Sequence, residues 1–320
     1  MNFLFIIFVF LGSCFLLSYL SSLAIESLAR IAKYLGWREF VIAFFIMAFA
    51  VSLPNLFIDL NAAFQGHPEL GFGDIVGGNL GDLTIVMALA VLFSRKGLSA
   101  ESDMVQSSAI FTTLIAVLPL VLVWDGTLSR IDGLILIGAF LLYSVWLFSK
   151  KEHFKKIYRR KNRKPIADFK DFLKNIIKAI VLLALLLLAS QAVINSAQFF
   201  SGYLGISIGL VGVLIVGLGN CFPELYFSIV AAREEENWLV LGDLMGSVII
   251  CATLVLGLIG LLFPFHIHNF APFSMASVFL IIAAICSLIF IRTGRKIVKR
   301  ESFVLLGLYV VFLLVEIFIK

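Results

Sequence analysis

Ten stretches of predominantly apolar residues, near 2–22, 39–65, 73–94, 104–124, 131–149, 176–200, 205–232, 239–264, 272–292 and 301–319, divide this chain almost end to end. A helix needs roughly 20 such residues to cross a bilayer, so the pattern restricts the chain to a bundle of ten spanning helices. The breaks fall at turn-rich or charged punctuation such as GHPELGFG, WDGTLSR, FFSGYLG and RTGRKIVKRE. The chain is 61% hydrophobic, with a mean hydropathy of +1.07, where soluble domains sit near 45–50% apolar. The first stretch lacks a basic leader and exceeds the 7–15 apolar residues of a secretory signal. It reads as a retained first helix.

The net charge of +5 does not point to nucleic acid, because the basic residues lie between the apolar runs. With the N-terminus outside, alternate loops and helix ends hold 23 of the 25 lysines and arginines, and only Arg130 and Lys320 fall on the other side. Cytoplasmic loops carry such an excess. The expected topology has both termini outside a plasma membrane and the basic segment 150–175 as a cytoplasmic linker that fixes orientation, with lipid binding or calcium sensing as its alternative roles. The four cysteines all sit in apolar runs, so neither a disulfide framework nor a zinc pattern is indicated. His266 and His268 form an HIH in a loop, read as solvated surface.

Residues 54–93 align without gaps on 223–262 at an offset of 169, with 12 of 40 positions identical. Pro54 meets Pro223, Gly73-Asp74 meets Gly242-Asp243, Gly77 meets Gly246 and Thr84 meets Thr253. Shared leucines follow from composition alone; shared proline and a shared G-D-x-x-G do not. Each half carries five spans, an odd number, so the second half enters the membrane inverted. The expected fold is an all-α polytopic membrane protein of two inverted five-helix repeats, 1–149 and 176–320, joined by the 150–175 linker. Inverted repeats with interrupted helices are a common transporter plan, with the substrate site where they meet.

Pro54 and Pro223 remove backbone donors and free the carbonyls of Ala50 and Gly219. In hydrocarbon such a carbonyl needs a neighbour, a water or an ion. At helical spacing Ser52, Asn55 and Asp59 share one face, as do Asn220, Glu224 and Ser228. The following span of each half adds Gly78, Asn79 and Asp82, and Ser247. A carboxylate at the bilayer centre costs about 2.5–3.5 kcal/mol on insertion scales, which a bound cation offsets. Hard cations such as Ca²⁺ take oxygen donors, and the absence of a thiolate or imidazole cluster disfavours zinc. Candidate ligands are Glu224, Asp82, Asn55, Ser52, Ser247, Asn220 and Asp59. Asp74 and Asp243, placed at helix starts by the span boundaries, read as caps.

At these residues the chain resembles the calcium/cation antiporter superfamily, specifically the sodium/calcium exchanger membrane region. Each half of that family carries G-T-S-x-P-E followed by G-N-x-x-G-S-N. GNCFPE keeps Gly219, Pro223 and Glu224; AVSLPN keeps Ser52 and Pro54 but has Asn55 where the family has glutamate. The family's small-hydroxyl position falls on Gly78 and Ser247, and the polar position four residues on falls on Asp82 and Cys251. The resemblance implies a secondary antiporter exchanging Ca²⁺ for Na⁺ by alternating access. It needs no cofactor and has inorganic cations and membrane lipid as its partners; the oligomeric state, a monomer among the options, is left open. The loss of one motif carboxylate makes proton coupling, another divalent ion or a lapsed activity credible. Two rivals from other classes remain: a passive channel, and an intramembrane aspartyl protease using Asp74 of GFGD with Asp243.

Overall fold

The computed structural model describes residues 3–34, 39–149, 169–267 and 270–318. His268 and residues 150–168 of the basic linker lie outside the described residues. The described chain is almost entirely helical, in ten rods. In the first half these are α1 (Phe3–Tyr34), α2 (Glu39–Phe64), α3 (Pro68–Gly81, then a π-turn Asp82–Val86 and Met87–Phe93), α4 (Asp103–Leu122) and α5 (Arg130–Ser149). In the second they are α6 (Phe169–Leu204), α7 (Ile208–Val211, a π-turn Gly212–Val216 and Gly217–Arg233), α8 (Asn237–Ile250, a π-turn Cys251–Val255 and Leu256–Leu262), α9 (Ala271–Arg292) and α10 (Lys299–Phe318).

Eight rods among the described residues meet the length and apolarity needed to cross a membrane; α2 and α10 complete the ten. Two rods outrun their apolar stretches. α1 continues to Tyr34 because residues 23–34 contain neither proline nor glycine, and Glu26 and Arg30 pair one turn apart at 2.5 Å. α6 begins at Phe169, inside the segment read as linker, because apolar residues recur at helical spacing through FKDFLKNIIK.

The inverted repeat is visible in the backbone. α2 ends in a Schellman turn: His67 N–H donates to Ala62 O at 2.9 Å and Gly66 N–H to Ala63 O at 3.1 Å. At the same offset of 169, Glu236 N–H donates to Ala231 O at 2.9 Å and Glu235 N–H to Ala232 O at 3.3 Å. The left-handed residue is Gly66 (φ 83°) in one loop and Glu235 (φ 62°) in the other. Thus the turn survives where the glycine does not.

Four two-residue strands tie the halves together at the loops: β1 (Leu98–Ser99), β2 (Thr127–Leu128), β3 (Phe265–His266) and β4 (Lys296–Ile297). β1 pairs antiparallel with β4, and β2 with β3. The first ribbon lies at the end of the bundle where α5 ends and α6 begins, the linker face, and the second at the far face. The offset carries β2 onto β4, so one ribbon is the inverted copy of the other.

α1 and α6, repeat partners, pack against each other in their own hydrophobic cluster, which includes Phe10, Leu17, Leu186, Val193 and Phe200. α3 runs through the centre of the remaining eight, and Phe72 packs edge-on to Phe273 of α9 at 5.0 Å. Polar side chains clamp α2 to α6: Asn61 donates to the Ser190 hydroxyl at 2.8 Å, and the Gln65 and Gln191 amides exchange bonds at 2.8 and 3.0 Å.

α3 and the far-face end of α7 touch backbone to backbone. A Cβ at Gly73 would strike the Gly209 carbonyl, and one at Gly77 would strike that of Val213. Small residues at such spacing permit this approach. Their repeat partners Gly242 and Gly246 behave differently. Among the described residues nothing lies within 4 Å of a Cβ built on either, and Gly242 is exposed. Gly77→Val is therefore expected to lower thermal stability by about 2–3 kcal/mol or to prevent assembly, since backbone cannot yield as a side chain can. Gly242→Val, at an exposed position, is expected to fall within about 0.5 kcal/mol of wild type. Thermal unfolding of the purified chain in detergent checks both, and equal losses would contradict the packing difference.

Candidate cation site

The central polar residues come from α2, α3, α7 and α8, two rods from each half. Proline shapes the local backbone less than expected: α2 continues through Pro54 and α7 through Pro223 without a change of helix type. The departures from α-helix are π-turns. Those of α3 and α8, Asp82–Val86 and Cys251–Val255, coincide under the 169 offset, and π-turns concentrate at functional sites. The threonine shared by the repeat supports each: Thr84 donates to the Leu80 carbonyl and Thr253 to that of Ile249. Asp82 and Cys251 open their π-turns, so each side chain leaves the helix where the turn widens.

Around Asp82 the two halves interlock. The Ser247 hydroxyl of α8 and the Cys221 thiol of α7 lie within hydrogen-bonding reach of its carboxylate. Cys221 also donates to the Gly78 carbonyl at 3.4 Å. Asn55 of α2 donates to Cys251 Sγ of α8 at 3.3 Å. Glu224 is buried and within electrostatic reach of Asp82 and Asp243. Ser52, Asn55, Asp82 and Glu224 each keep a buried oxygen with no hydrogen-bond partner. None of the site carboxylates is paired with a lysine, arginine or histidine among the described residues.

Such oxygens, left bare in low dielectric, cost free energy that a cation relieves. No three carboxylate, thiol or imidazole groups among the described residues converge on one point. A cation here would thus draw on a mixed set of carboxylate, amide, hydroxyl and carbonyl donors, which suits a hard ion.

Two other expected ligands lie elsewhere. Asn220 donates to Asp74 Oδ2 at 2.7 Å, and Asp59 faces Asp74 across the α2–α3 contact. Asp74 is thus no helix cap. α3 begins at Pro68, six residues earlier, and Asp74 is wholly inside. Asp243 likewise lies well within α8, which starts at Asn237. The cue was Pro68, a residue favoured in the first turn. The protease dyad fails on the same facts, because Asp74 is engaged with Asp59 and Asn220, while Asp243 looks toward Asp82. Cys221 and Cys251, set aside as apolar, belong to the central group; their alignment with Ser52 and Asp82 under the repeat marked them. His266 lies in β3 and is exposed.

A family profile described as "Sodium/calcium exchanger protein" matches residues 5–149 and 174–318, one copy per half. The sodium/calcium exchanger MaX1 of Methanosarcina acetivorans is 28% identical over 92% of this chain and 93% of its own length. Among solved structures, the sodium-calcium exchanger NCX_Mj superposes with a TM-score of 0.63 at 23% identity, over 97% of this chain and 98% of the other. The H⁺/Ca²⁺ exchanger CAX gives a TM-score of 0.74 at 17% identity, covering 97% and 82%. Both structural likenesses concern the fold.

Proposed function

The chain belongs to the sodium/calcium exchanger family, and on that premise we propose that it is a secondary antiporter moving Ca²⁺ against Na⁺ by alternating access. Integral membrane placement follows from the family and the apolar rods. The observation that carries the reading is the meeting of Asp82 and Glu224, one carboxylate from each inverted half, buried and without a basic partner. Two negative charges balance one divalent ion. Ser247, Asn55 and Ser52 supply neutral oxygens beside them, and the relative MaX1 is itself a sodium/calcium exchanger. The chain acts in the cell membrane, with the basic linker cytoplasmic and both termini outside. It catalyses no covalent step.

A second reading replaces sodium by protons. It is favoured by Asn55, an amide where the family's first motif has glutamate, which leaves fewer anionic ligands for several sodium ions. The test is uptake of radiolabelled calcium into proteoliposomes under separately imposed sodium and proton gradients. Uptake driven by outward sodium alone is the expected result. Uptake that follows only the proton gradient would replace the counter-ion, and uptake indifferent to both would make the protein a channel.

A further inference from the structure

We propose that Asp59, Asp74 and Asn220 form a second cation seat, filled by a monovalent ion while calcium occupies the Asp82–Glu224 site. The inference rests on the antiporter reading and deepens it. Asp59 is fully buried, and neither of its carboxylate oxygens has a hydrogen-bond partner. It faces Asp74, whose Oδ1 is also bare, within hydrogen-bonding reach, so three buried carboxylate oxygens meet with no donor from any other side chain among the described residues. The remaining Asp74 oxygen is held by Asn220 at 2.7 Å. That bond ties Asp74 of α3 to α7.

Glycine brings the two acids together. Gly71 of α3 lies against Asp59, where an added Cβ would sit 3.0 Å from the Asp59 Cβ. Any larger residue at 71 would push the carboxylate away. Among the described residues no lysine, arginine or histidine pairs with either acid. Two like charges about 4 Å apart repel by about 4 kcal/mol at an effective dielectric of 20, so the arrangement calls for a positive charge.

Position and donor count separate this seat from the central one. Asp74 precedes Asp82 by eight residues, about 12 Å along a helix axis, too far for one ion to touch both. Three free oxygens fall short of the 6–8 that Ca²⁺ takes, and Asp59, at 0% exposure, has no open side for water to make up the number. A monovalent ion fits the coordination better, and it fits the charge once one of the two facing acids keeps its proton toward the other. The seat has no mirror copy, because Asp59 corresponds to Ser228 in the second half. It therefore belongs to the far-face side of the site alone.

The test is equilibrium binding of sodium-22, and of rubidium-86 as the potassium probe, to the purified full-length chain in saturating calcium. A single monovalent ion per chain is expected in wild type. It is expected to persist in Glu224→Gln and to be lost in Asp59→Asn and in Asp74→Asn. Calcium-45 binding in the same samples should change by less than about threefold in the two aspartate variants, as for sites coupled only weakly. Wild-type protein that binds neither probe would overturn the proposal, leaving a shared proton between the acids; that measurement needs no variant to fold. An unchanged count in the folded aspartate variants would overturn it too. Failure of wild type to bind calcium would instead strike the antiporter reading, with the monovalent count still deciding the seat.

Discussion

Glu224→Gln is expected to reduce sodium-driven calcium uptake by at least about 100-fold, equivalent to about 2.8 kcal/mol. Glutamine keeps the length and one oxygen but removes a charge from a buried site. A carboxylate about 4 Å from a divalent ion contributes several kcal/mol even at an effective dielectric of 20, so the effect should fall mainly on calcium affinity. The same substitution is expected to stabilise the ion-free protein, because it relieves repulsion from Asp82 and Asp243, which lie within electrostatic reach of Glu224. Thermal unfolding with and without calcium separates the two effects. The ion-free midpoint should rise, while the calcium-induced rise, which follows RT ln(1 + [L]/Kd), should vanish. Uptake within about threefold of wild type, from protein of normal midpoint, would remove Glu224 from the site.

The second large effect concerns where the other charge sits. Asp82→Asn should impair uptake on the scale of Glu224→Gln, about 100-fold, because it halves the negative charge facing the ion. Adding Asn55→Glu to that variant should restore about tenfold of the loss, about 1.4 kcal/mol. The geometry supports the transfer. Asn55 of α2 already reaches the α8 π-turn through Cys251 at 3.3 Å, and Cys251 is the repeat partner of Asp82 and within its electrostatic reach. A glutamate at 55 would place its charge from the opposite side of the same cluster. The double variant restores the glutamate of the family's first motif. No recovery, with calcium binding still absent, would show that position 82 is irreplaceable.

Much of this was legible in the sequence, and the reasons differ by level. The ten rods could be read because hydrocarbon admits few alternatives to a continuous apolar helix. The inversion could be read because proline and G-D-x-x-G recur at an offset that composition does not generate. The pairing of Glu224 with Asp82 followed from two motifs facing each other. The backbone around them did not follow. Proline announced a break, but α2 and α7 run on at Pro54 and Pro223, and the widened turns lie at Asp82 and Cys251 instead. Only the repeated threonine hinted at them. Asp74 was misread through a boundary error: starting α3 at residue 73 turned an interior carboxylate into a cap. Asn220 was grouped with Glu224 by helical spacing, yet its amide turns to Asp74. Spacing along one helix cannot tell which neighbouring helix a side chain meets.

Of the two glycine pairs, Gly73 and Gly77 are pressed into the backbone of α7, whereas a Cβ on Gly242 or Gly246 meets nothing within 4 Å among the described residues. The repeat is therefore symmetric in sequence and asymmetric in packing. Where α3 meets α7 the two halves are riveted backbone to backbone, at a contact that leaves no room for any side chain.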